Sequence, residues 1–307
     1  MSEYIERDDL LYHYCSLSEF IDTIANKSII LKDIEKVDKY TNLSKTIDLF
    51  IQRLEQRFSI ILKEKSEDSF FLTIPLMTLK DGLKKYRYTI EPAFYSYSLT
   101  DYCDNWSLFN NKANDISIGI PFSKTSSALS TSPLYVKRIT YGYEELCSKI
   151  DSAIDTYLDD YLKKEKLKES DPDLELFAYK NIWNYIKKDL VYESVLFKDT
   201  YFADEHEFRL IVPTHLYLHS NIENYQEQIK SIVNFSIQND IFSLSKLKFT
   251  VENNDLISYR HLIFNNIAPL ISAVYINPTI QASVNDIEML LSSYDCNSTA
   301  VYKRQLN

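Results

Sequence analysis

Glu205-His206-Glu207-Phe208-Arg209 runs directly into Leu210-Ile211-Val212. Charged residues leading into an apolar run read as the start of a β-strand. Side chains alternate on a strand, so Glu205, Glu207 and Arg209 share one face, with His206, Phe208 and Leu210 on the other. Two carboxylates one strand repeat apart, beside an arginine, are costly to bury unless their charge is used. One use is to stabilise positive charge that develops during a reaction, as when a glycosidic bond breaks through an oxocarbenium-like state. The competing reading is a solvated face with a cross-strand ion pair.

Strand and helix patterns alternate on both sides of this stretch. Leu10 to Cys15 reads as a strand, Ser16 or Ser18 caps a helix through about Asn26, and Ser28-Ile29-Ile30-Leu31 is a second strand. From Leu43 to about Lys65, residues such as Phe50, Ile51, Leu54 and Phe58 recur at helical spacing. A strand near Phe70–Ile74, a short helix near Met77–Tyr86, a strand at Phe94–Ser98 and a helical turn at Trp106–Asn110 follow. Ile116–Ile120 and Tyr135–Thr140 read as strands, and Tyr143 to about Phe197 as helical with a break at Ser170-Asp171-Pro172. Strands return near Phe208–Val212, Leu247–Val251, Ser258–Phe264 and Ala273–Ile276, before a helix at Val284–Ser292 and a strand around Thr299–Tyr302. The pattern predicts one α+β domain over residues 1–307, built on a mixed or antiparallel sheet. Helical elaborations are expected at about 43–65 and 143–197.

Composition narrows the function classes. The chain has 307 residues, 45% hydrophobic and 25% charged, which suits a packed core. Its net charge of −10 argues against a non-specific nucleic-acid binder, with a local basic patch around Lys84, Lys85 and Arg87 left open. No apolar run approaches the ~18 residues of a membrane span, and the polar, acidic start is no signal peptide. Cys15, Cys103, Cys147 and Cys296 are scattered, so reduced thiols and a cytoplasmic location are expected. Only Gly82, Gly119 and Gly142 occur, too few for a phosphate-cradling loop or a dinucleotide fingerprint. Any nucleotide must therefore be held by side chains and strand backbone. Among the 24 tyrosines some suit stacking on a base, although an AT-rich genome is the main explanation for such a composition.

Three other segments carry candidate chemistry. Leu11-Tyr12-His13-Tyr14-Cys15 places a histidine mid-strand, where a structural role is the bland alternative. Phe94-Tyr95-Ser96-Tyr97-Ser98 puts Ser96 and Ser98 on one face and Tyr95 and Tyr97 on the other, and paired serines can simply satisfy each other. Ile271-Ser272-Ala273-Val274-Tyr275-Ile276-Asn277-Pro278 is a strand closed by a turn. A Cys–His nucleophile from Cys15 and His13, on one strand face, lacks a recognisable third group. A metal site from His206 with Glu205 or Glu207 is disfavoured, because neighbouring strand positions point apart. His215 and His219 would share a helix face, but Pro213 and the β-like run argue against a helix there. No metal is expected.

The order of these segments resembles a widespread bacterial family of uncharacterised proteins. Its members carry a Leu-Tyr-x-Tyr strand, a Ser-x-Ser strand followed by a tryptophan and an aromatic, a Glu-x-Glu-x-Arg strand and a late apolar strand ending in Pro. The match runs from about Leu11 to Tyr302 and rests on the order of short motifs. It departs in an early loop, where the family has an Asn-Asp-Pro turn and this chain has Asp38-Lys39-Tyr40-Thr41-Asn42. That family in turn looks like a distant relative of ADP-ribosyltransferases. The resemblance implies a mostly antiparallel, split β-sandwich with inserted helices, and NAD as substrate without a metal. Glu207 would be the catalytic glutamate and Glu205 the orienting one. Ser96 and Ser98 would shape the nicotinamide side. His13 would bind the ribose or pyrophosphate, and Arg209 would keep the carboxylates ionised. Trp106, Tyr12 or Tyr14 would flank the nicotinamide, with a core anchor the other reading for Trp106. Lys198 would contact phosphate at the rim. The acceptor (protein, nucleic acid or small molecule) is left open.

The expected function is an NAD-dependent ADP-ribosyltransferase, a bacterial toxin or antiviral defence effector kept in check by a cognate antitoxin or inhibitor, or by a gated pocket involving the helical segment 143–197. NAD hydrolysis and a non-catalytic nucleotide- or partner-binding module on the same fold are the alternatives.

Overall fold

The computed structural model describes residues 10–34, 43–64, 94–103, 108–109, 114–121, 134–165, 195–213, 237–238, 241–252 and 254–303. The chain divides into two compact units, one comprising Met1–Val37, Ala93–Ile139 and Ala203–Asn307, the other Asp38–Pro92 and Thr140–Phe202. One continuous domain with helical elaborations was the expectation from sequence. The described parts of both elaborations fall in the second unit.

The first unit is α+β, with a mostly antiparallel sheet. In chain order it contains β1 (Leu10–Cys15), α1 (Leu17–Ala25), β2 (Ser28–Asp33), β3 (Phe94–Thr100), β4 (Ile116–Pro121), β5 (Tyr135–Arg138) and β8 (Glu207–Pro213). Then come β9 (Ile237–Gln238), β10 (Phe242–Leu244), β11 (Lys248–Glu252), β12 (Asp255–Phe264), β13 (Ala273–Ile276), α4 (Val284–Ser293) and β14 (Ala300–Lys303). Among the described pairings of this sheet only β13 and β14 run parallel, with α4 crossing between them. Parallel neighbours need such a crossover.

Strand β3 is the pivot. β8 occupies one whole edge, from Phe94 opposite Pro213 to Thr100 opposite Glu207. The other edge is divided. Its end, Thr100, pairs with Tyr12 of β1, while Tyr95 and Ser96 pair with Asp33 and Lys32 of β2. β1 and β2 therefore part company along β3. β1 leads to β4, β13 and β14, and β2 leads to β12, β10 and β9.

The core lies on one face of this sheet. Leu11 and Cys15 of β1, Tyr95, Tyr97 and Leu99 of β3, and Leu210 and Val212 of β8 all belong to one buried apolar cluster. Helix α1 closes on it through Phe20 and Ile24, one turn apart, and α4 through Ile287 and Leu291. Both helices begin on a serine. Ser16 Oγ accepts from Glu19 N, and Ser283 forms a capping box with Asp286. Asp115, ahead of β4, adds a second cap by accepting from Leu17 N at 2.9 Å.

The second unit holds α2 (Leu43–Glu64), the short strands β6 (Thr140–Tyr141) and β7 (Phe197–Lys198), and α3 (Tyr143–Glu165). Arg53 pairs with Asp151 at 3.0 Å, and Arg57 with Asp155. Both pairs repeat at a four-residue interval, so one face of α2 is matched to one face of α3. Among the described residues no helix is long and apolar enough to cross a membrane. The expected strand at 70–74, the helix at 77–86 and the break at 170–172 lie outside the described residues. The sequence reading missed β9 and β10, and β7 replaces the expected helical end at 197.

Candidate active site

The face of β3 and β8 opposite the core carries the polar residues. Register places Ser98 opposite Arg209 and Thr100 opposite Glu207, so these four side chains share a face with Ser96, Tyr12 and Tyr14. Ser98 Oγ donates to Glu207 Oε1 at 2.7 Å. Arg209 Nε donates to the same oxygen at 2.8 Å, and its Nη2 lies 3.4 Å from Oε2. Glu207 is 4% exposed and Arg209 1%, so the ion pair is buried. Such a pair is held in one geometry, and removing either partner leaves an uncompensated charge. Of the two serines, Ser98 meets the glutamate. Ser96 sits further down the strand, opposite Ile211.

Glu205 corrects the strand reading of the opening motif. β8 begins at Glu207, and Thr200–Glu205 is a 3-10 turn. Between them His206 adopts φ 45°, the left-handed region. That reversal breaks the two-residue alternation, so Glu205 does not share the strand face of Glu207 and Arg209. The main chain of Glu205 is nevertheless tied to the site, because Thr100 Oγ1 donates to its carbonyl at 2.8 Å.

His13 reaches Ser98, but from the other side of the sheet. Its ring stacks on Tyr97 at 3.8 Å between centroids, and Tyr97 belongs to the core face. Nδ1 lies 2.8 Å from the carbonyl oxygen of Ser98. A carbonyl only accepts, so Nδ1 carries the proton. This carbonyl lies in the stretch of β3 edge between its pairing with β1 and its pairing with β2. His13 thus supplies a hydrogen bond where the ladder is interrupted, and it positions Ser98 through the main chain. Its Nε2 faces Glu19 Oε1 at 3.7 Å. Burial pushes the Glu19 carboxyl up, but the His13 imidazole and then Lys32 draw it below its ordinary value. Cys15 does not behave as a nucleophile paired with His13. Burial, followed by the charges of Glu19 and Asp115, pushes its thiol well up, away from the reactive thiolate.

The remaining candidates divide. Tyr12 is a packing residue beside its strand neighbours. A Cβ at Gly119 would come within 2.9 Å of its Cε1, and Tyr275 meets its ring edge-on at 5.7 Å. Tyr14 reaches toward the site end of β3, its hydroxyl donating to Tyr102 O at 3.0 Å. Lys198 belongs to the second unit, with Nζ 5.5 Å from the Phe202 ring centroid. Trp106, His215 and His219 lie outside the described residues. No group of His, Cys, Asp and Glu suited to a metal occurs among the described residues.

Sequence reading missed Thr100, Asp101 and Tyr102. Thr100 was within reach, since it is the next outward position after Ser96 and Ser98. Asp101 and Tyr102 carry no local signal, because their partner is His206, more than a hundred residues away. Comparison with protein-family models, curated proteins and solved structures finds no match.

Proposed function

We propose that this chain transfers ADP-ribose from NAD, with hydrolysis to water as a close variant and the acceptor a protein, nucleic acid or small molecule. The observation that carries the reading is the Ser98–Glu207 hydrogen bond of 2.7 Å on the outward face of β3 and β8. It joins two of the motifs on which the resemblance to ADP-ribosyltransferases rests. The mostly antiparallel α+β sheet is compatible with the fold that the resemblance implies.

Breaking the nicotinamide–ribose bond develops positive charge on the ribose, and nicotinamide leaves neutral. A carboxylate fixed by Ser98 and Arg209 would face that charge without reorganising, which is the efficient form of electrostatic stabilisation. His13 enters as a residue that sets the Ser98 main chain, in place of the direct substrate contact expected from the resemblance. A toxin or antiviral effector with a cognate inhibitor is the biological role that the resemblance to ADP-ribosyltransferases suggests.

A second reading has its own observation. Arg209 closes on Glu207 in a buried pair, as it would in a purely structural cluster on a non-catalytic binding module. Incubation with NAD labelled in either half separates the two. Nicotinamide release by the wild type, lost in Glu207→Gln, supports the enzyme. NAD left intact under all conditions supports the binding module.

A further inference from the structure

At the end of the β3–β8 pair stands a cluster that the resemblance does not assign. His206 Nδ1 lies 3.3 Å from Asp101 Oδ1, and His206 Nε2 lies 3.2 Å from the Tyr102 hydroxyl. The order is carboxylate, imidazole, hydroxyl. An ionised carboxylate only accepts, so it holds the imidazole proton on Nδ1. Nε2 is then left with its lone pair toward the phenol O–H, the arrangement by which a base activates an oxygen nucleophile. The geometry is enforced by the backbone. His206 holds the left-handed φ of 45°, and its amide donates to Ala203 O at 3.1 Å. Histidine tolerates that region better than most side chains, but strain of this kind persists only where its surroundings over-determine it.

The cluster is tied to the candidate active site by one side chain. Thr100 Oγ1 accepts from Tyr102 N at 3.2 Å while donating to Glu205 O, and Thr100 itself pairs with Glu207. Tyr14 holds the Tyr102 carbonyl. Tyr102 is 42% exposed, so its hydroxyl is open to a reagent or a bound substrate.

We infer that Tyr102 is an acceptor for the transferred group, activated by His206 as general base with Asp101 as its positioning residue. This rests on the NAD reading above. In the step, the Tyr102 O–H proton passes to His206 Nε2. The phenolic oxygen forms a bond to the ribose C1′ of NAD as the C1′–nicotinamide bond breaks, its electron pair leaving on the nicotinamide nitrogen. The products are O-(ADP-ribosyl)-Tyr102, neutral nicotinamide and an imidazolium that returns its proton to water. The protein thereby modifies itself at the end of the β3–β8 pair that carries Glu207.

Two measurements test this. The first needs no NAD. The full chain is treated with limiting N-acetylimidazole, and acetylation of each tyrosine is followed by peptide mass spectrometry. Tyr201, which is 85% exposed, serves as the internal standard. Exposure alone makes Tyr201 react faster, whereas the relay makes Tyr102 faster by several-fold. His206→Gln and Asp101→Asn should abolish that advantage without moving the melting temperature, while Asp101→Glu should retain it. Tyr102 reacting no faster than Tyr201 overturns the relay. The second measurement uses NAD and peptide mapping. ADP-ribose on Tyr102, absent in Tyr102→Phe, tenfold slower in His206→Gln and unaffected in Tyr201→Phe, is the expected result. Nicotinamide release with Tyr102 unmodified overturns this inference and leaves the NAD reading standing. No release of nicotinamide at all overturns both.

Discussion

Strand β3 stands between two polar clusters, each built around a buried arginine. On its outward face Arg209, Glu207 and Ser98 form the candidate active site. On its core face Tyr95 OH lies 3.1 Å from Ser258 Oγ, and Ser258 in turn donates to Asp33 Oδ2 at 3.1 Å. The guanidinium of the fully buried Arg260 lies 5.1 Å from the Tyr95 ring centroid and donates to Ser245 O at 3.0 Å. The ingredients match, with a serine donating to a carboxylate near a buried arginine. The settings differ. The core-face cluster contributes to the apolar interior through Tyr95, whose hydroxyl is pushed up to about 12 by burial, with Asp33 adding to the rise and Ser258 and Arg260 opposing it. It is a neutral phenol locked into packing. The outward cluster gathers its groups at the end of a strand pair, next to a strained histidine and a part-exposed loop. Both clusters are buried, Glu207 and Arg209 as deeply as Asp33, Ser258 and Arg260, so position separates them: one packs into the apolar interior, and the other lies at the end of a strand pair beside Thr100 and Tyr102.

The strongest way to break that contrast is Arg209→Ala. It leaves the Glu207 carboxylate buried with its arginine partner gone, and a cost of about 3–5 kcal/mol is expected. Chemical denaturation at neutral pH measures it. A loss under about 1 kcal/mol would mean that the pair is solvated in solution and that the outward cluster is no more than a surface charge array.

Glu207→Gln is next. It keeps the size and much of the hydrogen bonding but removes the charge. NAD turnover should fall by about 10²-fold or more, roughly 2.7 kcal/mol of transition-state stabilisation. KM should change far less than kcat, because ground-state NAD lacks the developing ribose charge. Since Arg209 is buried, some stability is lost as well, so the kcat-against-KM split is the informative reading. Normal turnover together with a lowered melting temperature would make both clusters structural.

Ser258→Ala probes the other side of β3. It removes the link between Tyr95 and Asp33 and should cost about 1–3 kcal/mol of stability. Turnover measured below the unfolding transition should stay within about twofold, since nothing on the outward face is altered. A tenfold loss of turnover would show that the core-face network reaches the site, and the two clusters would then be one.

The outward cluster was partly legible because two of its members are neighbours on one strand and the third sits in a plainly alternating strand, although only the pairing of β3 with β8 joins them. Glu207 and Arg209 are one strand repeat apart, and Ser98 lies on a strand whose alternation is plain. The α+β class with a mostly antiparallel sheet followed from the same periodicities. The core-face cluster was not legible, since Asp33 and Ser258 are separated by 225 positions and meet only through the pairing of β2, β3 and β12. Glu205 was misplaced because alternation assumes an unbroken strand, and one left-handed residue at 206 is invisible to a periodicity. His13 was found as a candidate for direct contact with NAD, whereas its ring lies on the core face and reaches the Ser98 main chain. Counting along β1 fixes which residues share its sides, and only the register Tyr12 to Thr100 shows which side looks at Ser98.

The smallest expected effect concerns that histidine. Glu19 faces His13, and its carboxyl is lowered in the folded chain below its ordinary 4.5, through His13 and then Lys32 acting against the opposing effect of burial. A carboxyl lowered by folding stabilises the fold above its unfolded value and loses that contribution as pH falls through the folded value. Glu19→Gln should therefore be less stable than wild type near pH 7, and the difference should close at pH values below about 4.5. The Glu19 side chain is 37% exposed, so the difference should stay under about 1 kcal/mol. Urea titrations of both proteins across that range measure it. A gap that persists unchanged into acid would mean Glu19 acts through α1 packing and not through charge. His13 would then be anchored by Ser98 O and the Tyr97 ring alone, and its tie to the outward cluster would run only through the main chain of β3.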